Sequence, residues 1–330
     1  MAPRPIGITM GDPAGIGPEI IMKAVAATKG RPLAVIGTRA VFEPASRRTG
    51  IAPLKVIPGI SSYKGGAVLL DLVAPRPFQR GRPTPQTARM ALDAVDQAIR
   101  LIKENRLSAL VTAPIWKTGI RRLRKGFIGH TEYLAQAFNA RPCAMMGVNR
   151  SLRHPGVPWG DTDVEKRVLL LTTHIPLRRV FKYITEGNIG RHLKLLDTGL
   201  KQVFGVRRPR IGVTNLNPHG REFSLGEDEI IFKAVKAARR SGILASGPFP
   251  SDTVFNQPYD GFLAMYHDQG MVFLKSRPGG VNFTLGLPFV RTSPLHGTAF
   301  DIAARFQADP LSMIDAIELA SRLCRRRRDD

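Results

Sequence analysis

The chain has 330 residues, of which 43% are hydrophobic and 23% charged, the composition of a globular protein large enough for two domains. No apolar run approaches the roughly 18 residues that a membrane span requires, no signal peptide is evident, and Cys143 and Cys324 match neither a metal pair nor a disulfide framework. The net charge of +23 comes mainly from scattered arginines without a nucleic-acid-binding signature, so we expect a cytoplasmic protein that attracts small anions and binds neither membranes nor a specific nucleic acid.

Short apolar strands alternate with helical patterns along the chain. The predicted strands are 5–10, 33–36, 107–112, 168–172, 210–214, 262–266, 271–274 and 281–284. The predicted helices are 18–27, 84–104, 226–240 and 312–323. In the clearest helix, Leu92, Val95 and Ile99 share one face at the helical period. Strands separated by helices predict the α/β class with a largely parallel sheet.

The first predicted strand ends in a glycine-rich turn, MGDPAGIGPEI, residues 10–20. Gly11, Gly15 and Gly17 allow a tight bend and a close approach of a ligand to the backbone. The next helix could attract an anion through its unpaired N–H groups. The spacing is not G-x-G-x-x-G, so the turn does not indicate a Rossmann dinucleotide site, and by itself it identifies no ligand.

Three histidines, His174, His219 and His267, each end or follow a predicted strand. Open α/β sheets hold their ligands at the carboxyl ends of strands, so these side chains could converge. Three neutral imidazoles with an open position suit a divalent transition metal. Their wide separations match no local metal motif, and the alternative of three structural or surface histidines stays open.

Several other polar side chains have two interpretations. Asp268, beside His267, could orient a ligand or accept a proton, but could also simply form a turn. Lys275, Asn282 and Arg291 form a set that suits a phosphate or carboxylate, although the cations could just add to the basic excess.

Two further segments contain polar residues at turns. In GHTEYLA, residues 129–135, Thr131 could cap a helix, with His130 beside it. HGTAFDIA, residues 296–303, pairs a glycine turn with Asp301 before a short helix.

Nine segments, taken in order, resemble the 4-hydroxythreonine-4-phosphate dehydrogenase family over nearly the whole chain. They are ITMGDPAGIGPEI, LVTAPIWK, GHTEYLA, TTHIPL, NLNPHGRE, GPFPSDTVF, YHDQG, GVNFTLGLPFVRTS and HGTAFDIA. The resemblance implies two α/β domains like those of isocitrate and isopropylmalate dehydrogenases, with the active site in the cleft. The first domain, on the cofactor side, is expected to comprise residues 1–130 and 275–330. The second, residues 131–274, is expected to hold metal, substrate and dimer contacts.

The resemblance also assigns roles to individual residues. The implied metal ligands are His174, His219 and His267. The implied substrate contacts are His130, Thr131, Lys275, Asn282 and Arg291. The residues expected to face the cofactor are Gly11, Asp12, Gly15, His296, Gly297 and Asp301. The candidate catalytic residues are Asp268, Asp252 and Lys117.

The activity implied is metal-dependent oxidation of a secondary alcohol by NAD or NADP, with decarboxylation of the resulting β-keto acid. The expected metal is Zn²⁺, with Co²⁺, Mg²⁺ or Mn²⁺ as alternatives, and it favours the alkoxide as hydride leaves. The expected substrate is a small anion, 4-hydroxythreonine 4-phosphate of pyridoxal phosphate biosynthesis. The expected assembly is a homodimer whose metal site takes ligands from both subunits.

The sequence departs from the family near these residues. GREFSLG after His219 is one residue shorter than the usual glycine-rich segment, Trp116 replaces Asn or His, and Leu295 replaces an aspartate. The run 271–273 is less polar than expected. The alternative enzyme is therefore a catabolic relative that oxidises and decarboxylates an aromatic cis-dihydrodiol such as that of terephthalate. The alternative outside enzymes is a protein that binds anions or nucleic acid without catalysis.

Overall fold

The computed structural model describes residues 3–72, 78–149 and 165–329. Their strands are β1 Ile6–Thr9, β2 Leu33–Gly37, β3 Lys55–Ile57, β4 Ala67–Asp71, β5 Ala109–Thr112, β6 Ala144–Asn149, β7 Lys166–Leu170, β8 Arg210–Thr214, β9 Leu244–Phe249, β10 Gly261–Ala264, β11 Val281–Leu285 and β12 Val290–Pro294. Their α-helices are α1 Gly17–Ala27, α2 Arg39–Thr49, α3 Pro85–Lys103, α4 Lys117–Leu123, α5 His130–Ala137, α6 Leu177–Val180, α7 Glu186–Gln202, α8 Glu227–Arg240, α9 Ser251–Val254, α10 His267–Lys275, α11 Phe300–Ala303 and α12 Leu311–Asp329. The predicted α/β class is confirmed.

The chain forms two compact units, unit 1 of Met1–Ala140 and Leu287–Asp330, and unit 2 of Arg141–Gly286. The boundaries expected from the sequence are 130 and 274. Helix α5 belongs with unit 1, where the Tyr133 hydroxyl donates to the carboxylate of Asp96 on α3. Strand β11 belongs with unit 2, where it pairs with β6. These contacts shift both boundaries towards the carboxyl terminus.

Unit 1 contains a parallel sheet in the order β3-β4-β2-β1-β5-β12. Strands β1, β2, β5 and β12 are buried at every residue. Continuous burial is expected of parallel strands that are covered on both faces. Helix α3 packs on β1 and β2, and α12 packs on β5 and β12.

Unit 2 contains strands in the order β11-β6-β7-β10-β8-β9. Strand β6 is antiparallel to both β11 and β7, whereas β7, β10, β8 and β9 run parallel to one another. Strand β10 therefore lies between β7 and β8, and the carboxyl ends of all three reach the same edge of the sheet. The segments that carry the three predicted metal ligands leave the sheet at that edge.

The longest predicted helix is confirmed, and local interactions determine where it begins. The side chain of Thr84 accepts a hydrogen bond from the backbone N–H of Thr87, and Thr87 Oγ1 accepts from the N–H of Thr84. Pro85 follows at the first helical position, where its missing N–H costs nothing. The predicted helix at 84–104 therefore includes its two caps, Thr84 and Glu104.

The strand predicted at residues 271–274 is wrong. These residues lie in α10, where Met271 and Leu274 are buried and Val272 is 71% exposed. A short apolar run has no periodicity that separates strand from helix in the sequence, whereas the burial of residues three apart is that of a helix face. His267 follows β10, as predicted, and is also the first residue of α10.

Two predictions about helix starts also need correction. Thr131 does not cap α5, because Gly129 is the capping residue and His130 begins the helix. Asp301 lies within α11, whereas the sequence pattern places it before a helix. Among the described residues, no helix is long and apolar enough to cross a membrane.

Candidate functional site

Two of the three predicted metal ligands lie close together in unit 2. The ring centroids of His174 and His267 are 5.7 Å apart, with 42° between the ring planes. Two imidazoles bound to one ion through nitrogens at about 2.0–2.1 Å have centroids roughly 5–6 Å apart, so this pair fits a shared metal. The His219 ring lies 5.7 Å from that of Phe223. Within the described part of one chain, no group of three His, Cys, Asp or Glu side chains could hold a metal ion.

The backbone at two of these histidines is strained. His174 has a φ of 52° and His219 a φ of 55°, both in the left-handed region. Residues other than glycine are uncommon there, and each costs on the order of 1–3 kcal/mol unless the surroundings impose the conformation. Such strain concentrates at functional sites, so the geometry of these two turns is consistent with ligand binding.

Asp268 contacts the third histidine directly. Its Oδ1 lies 2.7 Å from Nδ1 of His267, and the carboxylate is 60% exposed. A carboxylate that accepts from one ring nitrogen fixes the tautomer and leaves the other nitrogen as a metal ligand. Of the roles that the sequence left open for Asp268, the geometry therefore favours orienting the His267 ring.

The remaining predicted residues of unit 2 are more scattered. Asp252 is exposed on the short helix α9, and Lys275 is exposed at the end of α10. Asn282 lies on β11, and its buried Oδ1 has no hydrogen-bond partner among the described residues. An unpaired buried amide oxygen is costly, and a ligand that donated a hydrogen bond to Asn282 would remove that cost.

Unit 1 buries a cationic cluster around Arg291. Arg291 on β12 is only 2% exposed, and its Nη2 donates to the hydroxyl of Thr112 on β5. Burial lowers the pKa of Arg291 to about 9, against the opposing effect of Glu132, so the guanidinium stays charged at neutral pH. Burial also lowers the pKa of the Lys117 ammonium, which Glu132 opposes and Arg121 and Arg291 reinforce.

His130 stands in the same cluster, at the start of α5 and beside Thr131. Burial, followed by the charges of Arg291 and Lys117, lowers the pKa of His130 well below its usual value. The imidazole is therefore neutral at pH 7. Its Nε2 is buried and has no hydrogen-bond partner among the described residues. A buried guanidinium, an ammonium and an unpaired imidazole nitrogen form a set that can bind an anionic group.

The two segments expected to face the cofactor contact each other in unit 1. The N–H of Ile16 donates to the carbonyl of Thr298 at 3.0 Å, and a Cβ on Gly15 would lie 2.8 Å from the same oxygen. A Cβ on Gly297 would meet no atom within 4 Å, so the backbone there is open to a ligand. Asp301 is exposed nearby in sequence, and Nδ1 of His296 lies 3.0 Å from the carbonyl of Gly297.

Asp12 and Gly11 shape this turn from inside. Gly11 has a φ of 71°, and a Cβ there would lie 2.4 Å from the carbonyl of Pro114. Asp12 is completely buried, accepts from the N–H of Ala14 at 2.9 Å and from the hydroxyl of Thr87 at 3.3 Å. Its carboxylate is thus engaged within the protein, which favours a role in forming the turn over direct contact with a cofactor.

Arg80 is a residue of this region that the sequence did not reveal. Its Nη1 donates to the carbonyls of Gly15 and Ala303, at 3.4 and 3.3 Å, and its guanidinium lies 4.3 Å from the centroid of Phe306. It links the glycine-rich turn to α11. No motif surrounds Arg80, and its partners are distant in sequence, so nothing in the local pattern could have identified it.

Trp116 and Phe273, two of the residues that differ from the expected pattern, pack against other residues of their own units. A Cβ on Gly119 would lie 2.1 Å from the Trp116 ring, which therefore lies against the first turn of α4. Phe273 stacks on Phe255 with 4.7 Å between centroids and 18° between planes. Both rings are used within their own units, so neither by itself indicates an apolar substrate pocket.

Comparison with known proteins gives one consistent family. Residues 28–320 match the family described as pyridoxal phosphate biosynthetic protein PdxA. A 4-hydroxythreonine-4-phosphate dehydrogenase of Desulforapulum autotrophicum is 40% identical, over 96% of this chain and 94% of that protein. A crystal structure of a protein with the same name from Klebsiella pneumoniae is 35% identical, with a TM-score of 0.82, over 98% of this chain and 100% of that one. The terephthalate 1,2-cis-dihydrodiol dehydrogenase of Burkholderia xenovorans is 25% identical, with a TM-score of 0.60, over 96% and 97%.

The buried carboxyl of Asp12 makes stability depend on pH. Burial raises its pKa from 3.8 to about 6, against the hydrogen bonds from Ala14 and Thr87. Because the folded pKa is above the unfolded one, the stabilisation is complete below pH 3.8 and is lost as the pH rises through about 6. A shift of this size corresponds to about 3 kcal/mol.

We predict that Asp12→Asn removes this dependence, because asparagine can keep the acceptor for Ala14 and does not ionise. Between pH 4 and pH 7 the free energy of unfolding of the wild type should fall by about 2 kcal/mol relative to that of the variant, because part of the change already occurs below pH 4. Urea denaturation at a series of pH values measures both. A difference between the two proteins that stays constant over this range would contradict the prediction.

Proposed function

Because the chain belongs to the pyridoxal phosphate biosynthetic protein PdxA family, we propose that it oxidises 4-hydroxythreonine 4-phosphate with NAD or NADP and decarboxylates the product. The chain is an enzyme of the dehydrogenase type that its relatives represent. The choice of substrate is supported mainly by the cations Arg291 and Lys117 and the neutral His130 beside them. Together they suit a phosphate.

The reaction balances as an oxidation followed by loss of CO₂. The carbinol carbon gives a hydride to NAD⁺ or NADP⁺, and its hydroxyl gives up a proton. The β-keto carboxylate that results loses CO₂, and the carbon left behind takes up one proton. The glycine turn with Gly11 and Gly15 and the loop with His296, Gly297 and Asp301 would hold the nicotinamide cofactor, since Gly297 leaves its backbone open.

We propose His174, His219 and His267 as ligands of a divalent ion, Zn²⁺ in the first place, with the ligands contributed by two copies of the chain. A bound ion would supply a Lewis acid for the substrate hydroxyl. Asp268 would hold the His267 ring in one orientation through Nδ1. Lys117, whose pKa is lowered by burial, is the better placed of the acid–base candidates, because Asp252 is exposed on α9.

The remaining substrate contacts are argued from charge and hydrogen bonding. In unit 1, Arg291 would hold the phosphate through an attraction that burial strengthens, and Thr131 would add a hydroxyl. In unit 2, Lys275 is proposed as a further substrate contact because of its positive charge. Asn282 would donate or accept through its amide, whose Oδ1 is otherwise without a partner among the described residues. Fixing the anionic end of the substrate positions the carbinol carbon for hydride transfer.

A homodimer is supported by the exposed apolar side chains of unit 2. Among its described residues these are Leu177, Phe181, Tyr183, Phe223, Leu225, Phe232, Val272 and Leu244. All but Leu244 closely follow one of the three histidines in the sequence. Large apolar side chains gathered in such segments are typical of a surface that another protein covers. A second copy would bury them next to the metal ligands that the proposal shares between subunits.

We predict that the protein reduces NAD⁺ or NADP⁺ with 4-hydroxythreonine 4-phosphate and does so faster with added Zn²⁺ than with chelator. The matched comparison is the terephthalate cis-dihydrodiol under the same conditions, followed by absorbance of the reduced nicotinamide. Activity with the dihydrodiol alone would select the catabolic alternative. Absence of turnover with either substrate would overturn the enzyme proposal.

We predict that His174→Asn abolishes stoichiometric Zn²⁺ binding and lowers turnover by a factor on the order of 100 or more, because Lewis-acid stabilisation is worth several kcal/mol. Asparagine tolerates the left-handed backbone of this position, so the fold should survive. His192→Asn, in α7 of the same unit, is the control and should keep Zn²⁺ and activity. Metal analysis and thermal melting check both variants, and Zn²⁺ retained by His174→Asn would refute the ligand assignment.

We predict that the wild type sediments as a dimer and that Leu225→Asp, at a side chain that is 95% exposed, dissociates it without unfolding the monomer. A charge there would have to be desolvated in the interface. Leu244→Asp, at a side chain 42% exposed, is the matched control and should stay dimeric. Sedimentation velocity gives the answer, and a monomeric wild type at micromolar concentration would exclude the homodimer.

A further inference from the structure

We propose that Gln269 is a positioning residue that holds the ends of β7, β8 and β10 in the arrangement required by the three histidines. The inference rests on the proposed metal site and extends it to a residue that binds neither metal nor substrate. Gln269 lies in the first turn of α10, and the group through which it acts comprises Thr172, Thr214, Met265 and Gln269, here called the Gln269 cluster.

Both ends of the Gln269 amide are used. Its Oε1 accepts from the hydroxyl of Thr214 at 3.1 Å, from the N–H of Met265 at 3.1 Å and from the N–H of Tyr266 at 3.0 Å. Its Nε2 donates to the carbonyl of Asn215 at 2.8 Å. One side chain thus joins the segment that leaves β8 towards His219 to the segment that leaves β10 towards His267.

The third strand is joined to the same point. The hydroxyl of Thr172, just beyond β7, donates to the carbonyl of Met265 at 2.8 Å. The N–H of Met265 is in turn shared between Gln269 and the hydroxyl of Thr214. Met265 is therefore hydrogen-bonded through its N–H to Thr214 at the end of β8, and through its carbonyl to Thr172, two residues before His174.

Three members of the cluster are buried and Gln269 is half-buried, so water cannot replace most of these bonds at low cost. Thr214 and Met265 are 0% exposed and Thr172 is 4% exposed. Removing a partner from a buried N–H leaves the full desolvation penalty of that group. Backbone bonds extend the sheet past the strand ends, from Leu171 to Ala264 and from Asn215 to Phe249, and the bonds of the Gln269 cluster add to them at the start of the histidine segments.

The histidine segments need such support because two of the histidine backbones are strained. His174 and His219 adopt left-handed conformations, which persist only when neighbouring structure imposes them. The Gln269 cluster fixes the start of both segments and also the N-terminal turn of α10, where His267 lies. The glutamine amide offers both an acceptor and a donor, whereas an ionised carboxylate offers only acceptors and could not donate to Asn215.

The test is Zn²⁺ affinity of the metal-free protein, measured by calorimetry, with the absorption spectrum of bound Co²⁺ as a report of ligand geometry. Gln269→Met, which removes all four hydrogen bonds, should weaken Zn²⁺ binding 10-fold or more and change the Co²⁺ spectrum. Gln269→Glu, which keeps the acceptor and loses the donor to Asn215, should give a smaller loss. This graded rescue distinguishes positioning from a general loss of stability.

Leu193→Ala is the control for stability, because Leu193 is 0% exposed on α7 and lies outside the Gln269 cluster. It should lower the free energy of unfolding and leave Zn²⁺ affinity unchanged. Equal Zn²⁺ affinity of the wild type and both Gln269 variants would overturn the inference, as would equal losses in Gln269→Met and Leu193→Ala. If Gln269→Met does not fold, Gln269→Glu and Thr172→Val decide by the same criterion. A wild type that binds neither Zn²⁺ nor Co²⁺ would instead overturn the proposed metal function.

Discussion

The candidate metal site depends on the position of β10 between two parallel neighbours, β7 and β8. Parallel pairing brings the carboxyl ends of these strands to one edge, whatever the sequence distance between them. Backbone hydrogen bonds continue the sheet for one residue beyond β7 and β8, at Leu171 and Asn215, and side-chain bonds also hold the segments that follow. Thr172, Thr214 and Gln269 supply those bonds, and the segments with His174, His219 and His267 begin from the same fixed edge.

The two units meet different electrostatic requirements. In unit 1, Arg291 is buried yet charged, and Glu132 is the acidic group that counters its desolvation. Burial, reinforced by the charges of Arg291 and Lys117, lowers the pKa of His130 and keeps it neutral. In unit 2, the histidines must be neutral to bind a metal, and the carboxylate of Asp268 can set the tautomer of one of them. The proposed anion site at Arg291 and the proposed metal site at the histidines would therefore need opposite treatment of charge.

The departures from the family illustrate how misleading a residue type can be without its neighbours. Trp116 and Phe273 suggest an apolar pocket when only their identities are known. In the structure Trp116 lies against Gly119, and Phe273 stacks on Phe255. The Trp116 ring fits there because Gly119, three residues later, has no Cβ that would clash with it. The substitutions thus leave the case for a phosphorylated substrate intact.

The sequence by itself determined the α/β class, seven of the twelve described strands, the helices α1, α3, α8 and α12, and the family, because periodicity and ordered motifs are local properties. It could not distinguish strand from helix at 271–274, where four apolar residues fit both periods. Only the tertiary structure decided that His174 approaches His267, that Asp12 faces inward, and that Arg80 and Gln269 connect separate segments. Such contacts join residues far apart in the chain, and their energies depend on burial that exists only after folding.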